Sequence, residues 1–269
     1  MRGRLGLLVA GVFAGVCGMS GLANADGYGP VGYAGPWSWN GYYVGVNGGY
    51  GWESSQTVHV NETFAGAPFS SFNYGSLSPD GAFGGIQIGA NRQSGSLVFG
   101  VEMDAQGSDI VGNSAFTQTG NSATVTTSNK VEDFGTIRAR AGFLAGYQTL
   151  LYGTGGIAFG DIVHRMTWAD IHSAGGGRGG QFFTGADQEN RGEVGYVLGA
   201  GIEHVFSPHM SVKLEYQYID FGTQHYSSPE MHRAVASEFV FDTSTRTDLQ
   251  TVRLGLNYQF YEDRSVPLK

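Results

Sequence analysis

The sequence predicts an all-β protein, an eight-stranded antiparallel up-and-down barrel with four long loops at one end. Three observations predict it: the composition, eight segments with a two-residue hydrophobic period, and connections that alternate between short and long. Of 269 residues, 45 are glycine, 13% are aromatic and only 14% are charged. So many aromatic rings exclude a disordered chain, and the lack of a Gly-X-Y repeat excludes a collagen-like one.

The first 25 residues have the pattern of a cleaved secretory signal peptide. Arg2 and Arg4 precede the apolar run Leu5–Val16, which is too short to span a bilayer, and Ala23–Ala25 form an A-x-A cleavage motif. Cleavage there removes Cys17, the one cysteine, and takes two of the 15 basic residues, so that the formal net charge of −8 becomes −10. The mature chain is therefore expected to be exported, free of disulfides and too acidic to bind nucleic acid.

Four predicted strands lie in the first half of the mature chain. Gly41–Trp52 alternates Tyr and Val with Gly and Asn, and Gly81–Asn91 sets two Ile residues against Gln, Gly and Asn. Leu97–Gln106 opposes Leu, Phe, Val and Met to Gly, Glu and Asp, and Phe134–Ala145 opposes Ile, Ala and Phe to Thr, Arg and Gly. Successive side chains of a strand point to opposite faces, so each segment predicts a strand with one apolar and one polar face.

Four more predicted strands complete the set. Leu150–Gly160 is rich in glycine, and its two faces cannot be assigned from the pattern. Val194–Phe206 sets Tyr, Leu, Ala and Ile against Val, Gly and Glu, and Ser211–Phe221 sets Val, Leu and Tyr against Lys, Glu and Gln. Gln250–Phe260 shows the clearest alternation of all. All eight segments have roughly the 9–11 residues that a tilted strand needs to cross a bilayer.

The connections alternate in length along the chain. About four residues follow the second, fourth and sixth segments, whereas polar stretches of about 25–30 residues follow the first, third, fifth and seventh. This is the topology of an outer-membrane barrel, and loops of that length are unusual in a compact soluble domain. We therefore expect a transmembrane barrel over residues 41–260, with aromatic girdles at both lipid interfaces and the long loops outside. Residues 26–40 are expected to be a periplasmic lead-in, with Trp37 and Trp39 at the membrane surface, and residues 261–269 a C-terminal tail.

Several segments resemble the small outer-membrane β-barrel proteins of alphaproteobacteria, a porin-family or OmpA-like group with immunogenic and hemin-binding members. The resembling segments are WNGYYVGVNGGYGW (Trp39–Trp52), GTIRARAGF (Gly135–Phe143), LLYGTGGIAFG (Leu150–Gly160), GAGIEHVFSPHMSVKLEYQYIDFG (Gly199–Gly222) and VRLGLNYQF (Val252–Phe260). The resemblance implies an outer-membrane location in a Gram-negative cell, with membrane lipid and lipopolysaccharide as partners. It also implies an assembly signal at Tyr258 and Phe260 for the barrel-insertion machinery. Family chains usually end at the final aromatic residue, whereas Tyr261–Lys269 follow it here.

The polar faces of the predicted strands carry four acids and four bases. One interpretation is the lining of a charged channel. The interpretation we favour is a network of paired charges that fills the lumen, because an unpaired buried charge costs several kcal/mol and eight strands leave an interior just wide enough for side chains. It predicts a closed or nearly closed barrel, and its members are Glu102, Asp104, Arg138, Arg140, Glu203, Lys213, Glu215 and Arg253.

No catalytic arrangement and no metal site is expected. His204 is the one histidine on a predicted lipid face, but it lies near the periplasmic end, away from lipopolysaccharide, so we do not expect an enzyme. Histidines in the long loops are candidates for hemin binding, because His, Met and Tyr can be axial ligands of haem iron: His59, His164, His172, His225 and His232. The expected role is a structural, surface-exposed protein that contributes to envelope integrity. Porin-like passage of small solutes and capture of hemin or a host-surface ligand are the alternatives.

Overall fold

The computed structural model describes residues 38–54, 56–64, 67–117, 124–172, 181–229 and 239–260. The predicted signal peptide and C-terminal tail lie outside these residues. Within the described ranges no helix is long and apolar enough to cross a membrane. The strands in those ranges are β1 (Gly41–Glu53), β2 (Gln56–Phe64), β3 (Ala67–Leu77), β4 (Asp80–Ser94), β5 (Leu97–Thr117), β6 (Thr124–Leu144), β7 (Thr149–His172), β8 (Gln181–Ser207), β9 (Met210–Pro229) and β10 (Phe239–Phe260).

Eight of these strands form a closed antiparallel barrel. The order β1-β4-β5-β6-β7-β8-β9-β10 is completed by a ladder between β1 and β10, which runs from the pair Tyr42 and Phe260 to the pair Glu53 and Leu249. Closure leaves no unpaired strand edge at the level of the membrane, where no water is present to hydrogen-bond the backbone. The predicted eight-stranded up-and-down barrel is confirmed.

The two faces of the barrel wall are inverted relative to those of a water-soluble protein. On β10, Leu254 is 59% exposed on the outer face, whereas its neighbour Arg253 is 1% exposed inside. Large apolar side chains are exposed along the outer rows of all eight strands, as expected for a surface in contact with lipid. The structure also assigns the faces of the glycine-rich strand β7, where Leu150 and Tyr152 point inward and Ile157 points outward.

Most strands are about twice as long as the alternation predicts. β7 has 24 residues and β8 has 27, so that much of the sequence expected to form loops is strand instead. At about 3.3 Å per residue, β8 is about 90 Å long, while the apolar band of such barrels is about 25 Å tall. The expected loop lengths were therefore wrong. Backbone hydrogen bonds to the adjacent strand hold each extension in place. This pairing requires no hydrophobic period in the sequence of the extension.

The first predicted loop contains a β-hairpin. β2 and β3 pair with each other, and β2 also pairs with the outer end of β10, from Ser244 and His59 to Phe239 and Phe64. The ladder between β1 and β10 ends at Glu53 and Leu249, so β2 takes the place of β1 beside β10 above that point. The barrel wall is thus continued outward by a different strand.

Candidate functional site

The eight predicted lumen charges all lie inside the barrel on β5, β6, β8, β9 and β10. None is more than 4% exposed. The register makes three opposite-charge pairs on adjacent strands: Glu102 with Arg138, Glu203 with Lys213, and Glu215 with Arg253. The strand pattern that sends apolar residues to lipid thus brings acids and bases together in the lumen.

Six of these residues form a central ion-pair cluster. Arg138 contacts Glu102 and Glu215, and its Nη2 lies 2.7 Å from Asp104 Oδ2. Lys213 Nζ donates to both carboxylate oxygens of Glu102 at 2.7 Å. The sixth member, Arg253, lies 2.9 Å from Glu215, 3.2 Å from Glu102 and 3.2 Å from Asp104. Three carboxylates therefore meet three cations, and the cluster is formally neutral.

A second layer of polar contacts lies on the periplasmic side of this cluster. Arg140 Nη2 donates to Glu203 at 2.6 Å, and its guanidinium carbon lies 4.0 Å from the centroid of the Tyr152 ring. The hydroxyl groups of Tyr43 and Tyr152 donate to Glu102 at 2.5 Å and to Glu215 at 2.6 Å. Glu203, the Tyr43 hydroxyl at 3.2 Å and the Tyr152 ring face thus stabilise the buried Arg140 guanidinium, while its Nε atom has no hydrogen-bond partner in the described structure.

Glycines make room for these tyrosine rings. A Cβ atom at Gly89 would lie 2.3 Å from Cζ of Tyr43, and one at Gly201 would lie 2.6 Å from Cζ of Tyr152. Both distances are far below van der Waals contact, so a larger residue would displace the ring. Part of the high glycine content therefore serves to fit bulky side chains into a narrow lumen.

An apolar cluster fills the lumen on the external side of the ion pairs. The rings of Phe83 and Phe134 meet edge to face, with centroids 5.3 Å apart. This layer was not predicted from the sequence, because the inward face was expected to be polar throughout. A signal was present, since Phe83 is in phase with inward Gln87 and Phe134 is in phase with inward Arg138. The cluster comprises Phe83, Ile110, Val131, Phe134, Ala158, Ile162, Val197, Ile219, Phe221 and Leu249.

A third layer closes the periplasmic mouth of the barrel. Trp39 is 1% exposed and packs in a cluster with Val98, Leu150, Tyr152 and Val205. The expectation that Trp39 lies at the membrane surface is therefore wrong, and Trp37 is outside the described residues. Residues 38–40 turn into the lumen because their backbone finds hydrogen-bond partners there, and the indole ring gains apolar burial.

Aromatic residues form the two expected belts on the outer face. Near the external side the hydroxyl of Tyr196 donates to Asp220 at 3.1 Å, and that of Tyr216 donates to Gln250 at 2.8 Å. At the periplasmic side the rings of Tyr258 and Phe260, the predicted assembly signal, meet edge to face at 5.2 Å. His209 stacks on Tyr258 at 5.5 Å. Rings of this kind are typical of lipid–water interfaces.

The four hemin candidates that the structure describes are dispersed over the external half of the barrel, in strands rather than in loops. His59 is in β2, His164 and His172 are in β7, and His225 is in β9, while His232 lies outside the described residues. Ser244 of β10 pairs with His59 on one side and with His225 on the other, so these two positions share a register level. His164 pairs with residues of β6 and β8, and His172 pairs with a residue of β8, elsewhere in the wall.

The remaining candidate groups show no catalytic or metal-binding arrangement in the described part of the chain. Nδ1 of His204 lies 3.0 Å from the hydroxyl oxygen of Thr149 on the exposed outer face. No carboxylate hydrogen bond that would orient His204 as a general base is described. Among the described residues no group of three or more His, Cys, Asp or Glu side chains is placed to hold a metal ion.

Comparison with known proteins identifies similar chains. The family model for the outer membrane protein beta-barrel domain matches residues 12–260. The chain is 34% identical over 233 residues to the 31 kDa outer-membrane immunogenic protein of Brucella melitensis biotype 1, covering 83% of this chain and 84% of that protein. It is 25% identical over 236 residues to the 22 kDa outer membrane protein of Rhizobium leguminosarum bv. viciae, covering 82% and 88%. A similar solved structure is the outer membrane protein OprG from Pseudomonas aeruginosa, with 13% identity, a TM-score of 0.47 and coverage of 84% and 99%.

Proposed function

Because the chain belongs to the outer membrane β-barrel family and is located in the outer membrane, we propose that it is a structural, surface-exposed protein with a closed lumen that contributes to envelope integrity. The observation that carries the proposal is the burial of the lumen charges. Arg138, Lys213 and Arg253 are each at most 1% exposed, whereas side chains that line a water-filled channel would be accessible to water. Ion pairs replace the water that a channel would need.

The chemistry of the lumen supports closure over conduction. A hydrated ion that crossed the central layer would have to separate Arg138 from its three carboxylate partners and leave charges uncompensated. Breaking a buried pair by removing one partner costs about 3–5 kcal/mol. The apolar layers on both sides add a dewetted barrier. The proposal therefore includes neither catalysis nor steady transport.

The outer surface supports the structural role. The apolar rows and aromatic belts fit membrane lipid, and the strand extensions rise to the level at which lipopolysaccharide sugars lie. The barrel-insertion machinery would read Tyr258 and Phe260, which are 45% and 50% exposed at the end of β10. Both residues precede the tail, so the machinery would have to recognise them at an internal position and not as terminal residues.

Planar-bilayer recording tests the closed lumen. We expect the refolded mature protein, residues 26–269, to give no reproducible single-channel steps. Each preparation would first be shown to be folded, by different migration of boiled and unboiled samples on a detergent gel. Long-lived conductance steps from a folded sample would contradict the closed barrel and support porin-like passage of small solutes instead.

Hemin binding is a second candidate function, and the register of the external strands favours it. His59 and His225 stand on either side of Ser244, separated by one strand, so two potential axial ligands are brought to one level of the sheet. The strand spacing is about 4.8 Å, which puts the two backbones about 10 Å apart.

A hemin titration followed by absorbance tests this candidate. We expect the double substitution His59→Ala/His225→Ala to weaken hemin binding about tenfold or more, because it removes both candidate ligands. The matched control is His164→Ala, in a different part of the wall. Unchanged affinity in the double variant, or an equal loss in the control, would rule out this pair as the hemin site.

A further inference from the structure

We propose that the periplasmic mouth of the barrel is a binding pocket for an aromatic ring, and that Trp39 of the lead-in occupies it as a removable lid. The pocket is built by Val98 of β5, Leu150 and Tyr152 of β7, and Val205 of β8. These residues come from three strands and surround the ring, leaving only 1% of Trp39 exposed. The ligand class that fits such a pocket is a flat apolar ring such as indole.

The lid is held by a small number of hydrogen bonds at its edges. The backbone NH of Trp39 donates to Gln93 Oε1 at 3.0 Å, and Nε2 of Gln259 donates to the carbonyl oxygens of Ser38 at 2.9 Å and Asn40 at 2.8 Å. The described lead-in residues Ser38–Asn40 precede β1 and belong to no strand ladder. The lid is thus fastened to β4 and β10 by the side chains of Gln93 and Gln259, and the Asn40 side chain accepts a further hydrogen bond at 2.7 Å from the backbone NH of Gln93.

The floor of the pocket differs from its wall. The Tyr152 ring joins the two, because it belongs to the apolar cluster and the guanidinium carbon of Arg140 lies 4.0 Å from its centroid. Arg140 is itself paired with Glu203 at 2.6 Å. When the lid is withdrawn, an apolar well opens to the periplasm with a neutral ion pair behind it. Such a well favours an uncharged ring over a charged ligand, because the charges behind it are already paired.

Thiol labelling measures whether Trp39 covers the pocket. The mature chain contains no cysteine once the predicted signal peptide is removed, so a Val98→Cys variant provides a single reporter on the pocket wall. We expect this thiol to be protected when Trp39 is present and to react about tenfold faster or more in the Trp39→Ala background. A Val197→Cys reporter in the external apolar layer is the matched control, and its rate should not change. Equal labelling of the Val98→Cys thiol in both backgrounds would overturn the lid.

Indole tests the ligand class in the same experiment. In the Trp39→Ala background, added indole should restore protection of the Val98→Cys thiol, as small apolar molecules fill engineered cavities. A charged ring compound, indole-3-acetate, should do so less well. Absence of any protection by indole would overturn the ring pocket. If Trp39→Ala fails to fold, as judged by gel migration, the double variant Gln93→Ala/Gln259→Ala keeps the ring and removes three of the hydrogen bonds that fasten the lid. It should raise the labelling rate in the same direction, and an unchanged rate would overturn the lid.

Discussion

Replacing Arg138 with methionine is expected to lower the free energy of unfolding by about 3–5 kcal/mol, the largest effect of any single lumen substitution. Arg138 contacts Glu102, Asp104 and Glu215, and its side chain is fully buried. Its removal leaves three carboxylates facing only two cations in a region that water does not reach. Urea titration in detergent micelles measures the change.

Two variants show whether charge balance is the cause. The control Arg246→Met removes an ion pair with Asp220 whose arginine side chain is 54% exposed, and we expect a loss below about 1 kcal/mol. The double variant Arg138→Met/Glu215→Gln restores a neutral cluster, with two acids and two bases, and should be more stable than Arg138→Met alone. If Arg138→Met lowered the free energy of unfolding no more than the Arg246→Met control, charge balance would be refuted as the cause. A double variant that is less stable than the single one would refute it as well.

The second large effect is a loss of stability as the pH rises, caused by Glu53. This residue lies at the outer end of β1, beyond Tyr50 and Trp52 and outside the membrane-spanning segments. It is 5% exposed, and its Oε1 atom has no hydrogen-bond partner in the described structure. Burial, together with the charge of Asp248 on β10, raises the pKa of Glu53 from 4.5 to about 8.

The sign of the pH dependence follows from that pKa. The folded protein holds the Glu53 proton up to about pH 8, whereas the unfolded chain releases it near pH 4.5. As the pH rises from 4.5 to 8, the free energy of unfolding should therefore fall by at most about 5 kcal/mol. Above pH 8 it should level off. Urea titrations of Glu53→Gln from pH 4 to pH 9 should lack this component. Parallel curves for the variant and the parent would contradict the assignment to Glu53.

The membrane part of the barrel was predictable because lipid imposes a strict two-residue period on its sequence. Leu254 and Arg253 illustrate it: one side chain meets lipid and the next meets the lumen, so the alternation predicts strand, face and neighbour type together. The eight lumen charges could be identified for the same reason. Their partners could not, because contacts such as that of Arg253 with Asp104 join strands far apart in sequence.

The external half was less predictable because its sequence carries no lipid face. β8 runs on through Gln188 and Asn190, which are polar neighbours on an exposed wall, so no hydrophobic period indicates a strand there. The pairing of β2 with β10 joins Ser244 to His59, which are 185 positions apart along the chain, and only closure of the barrel brings them together. The turn of Trp39 into the lumen depends on Gln93 and Gln259, whose positions are set by strands that form later in the chain.

The replacement of β1 by β2 beside β10 separates two tasks, spanning the bilayer and forming the external wall, between different strands. Below Glu53 the wall is set by lipid thickness and tolerates little change in length. Above it, the hairpin of β2 and β3 is joined to the wall through a short ladder to β10. Segments can therefore be exchanged at the tip of this hairpin without altering the register in the bilayer. For protein engineering, we expect the hairpin to accept a grafted foreign epitope while the barrel still assembles from its own membrane strands.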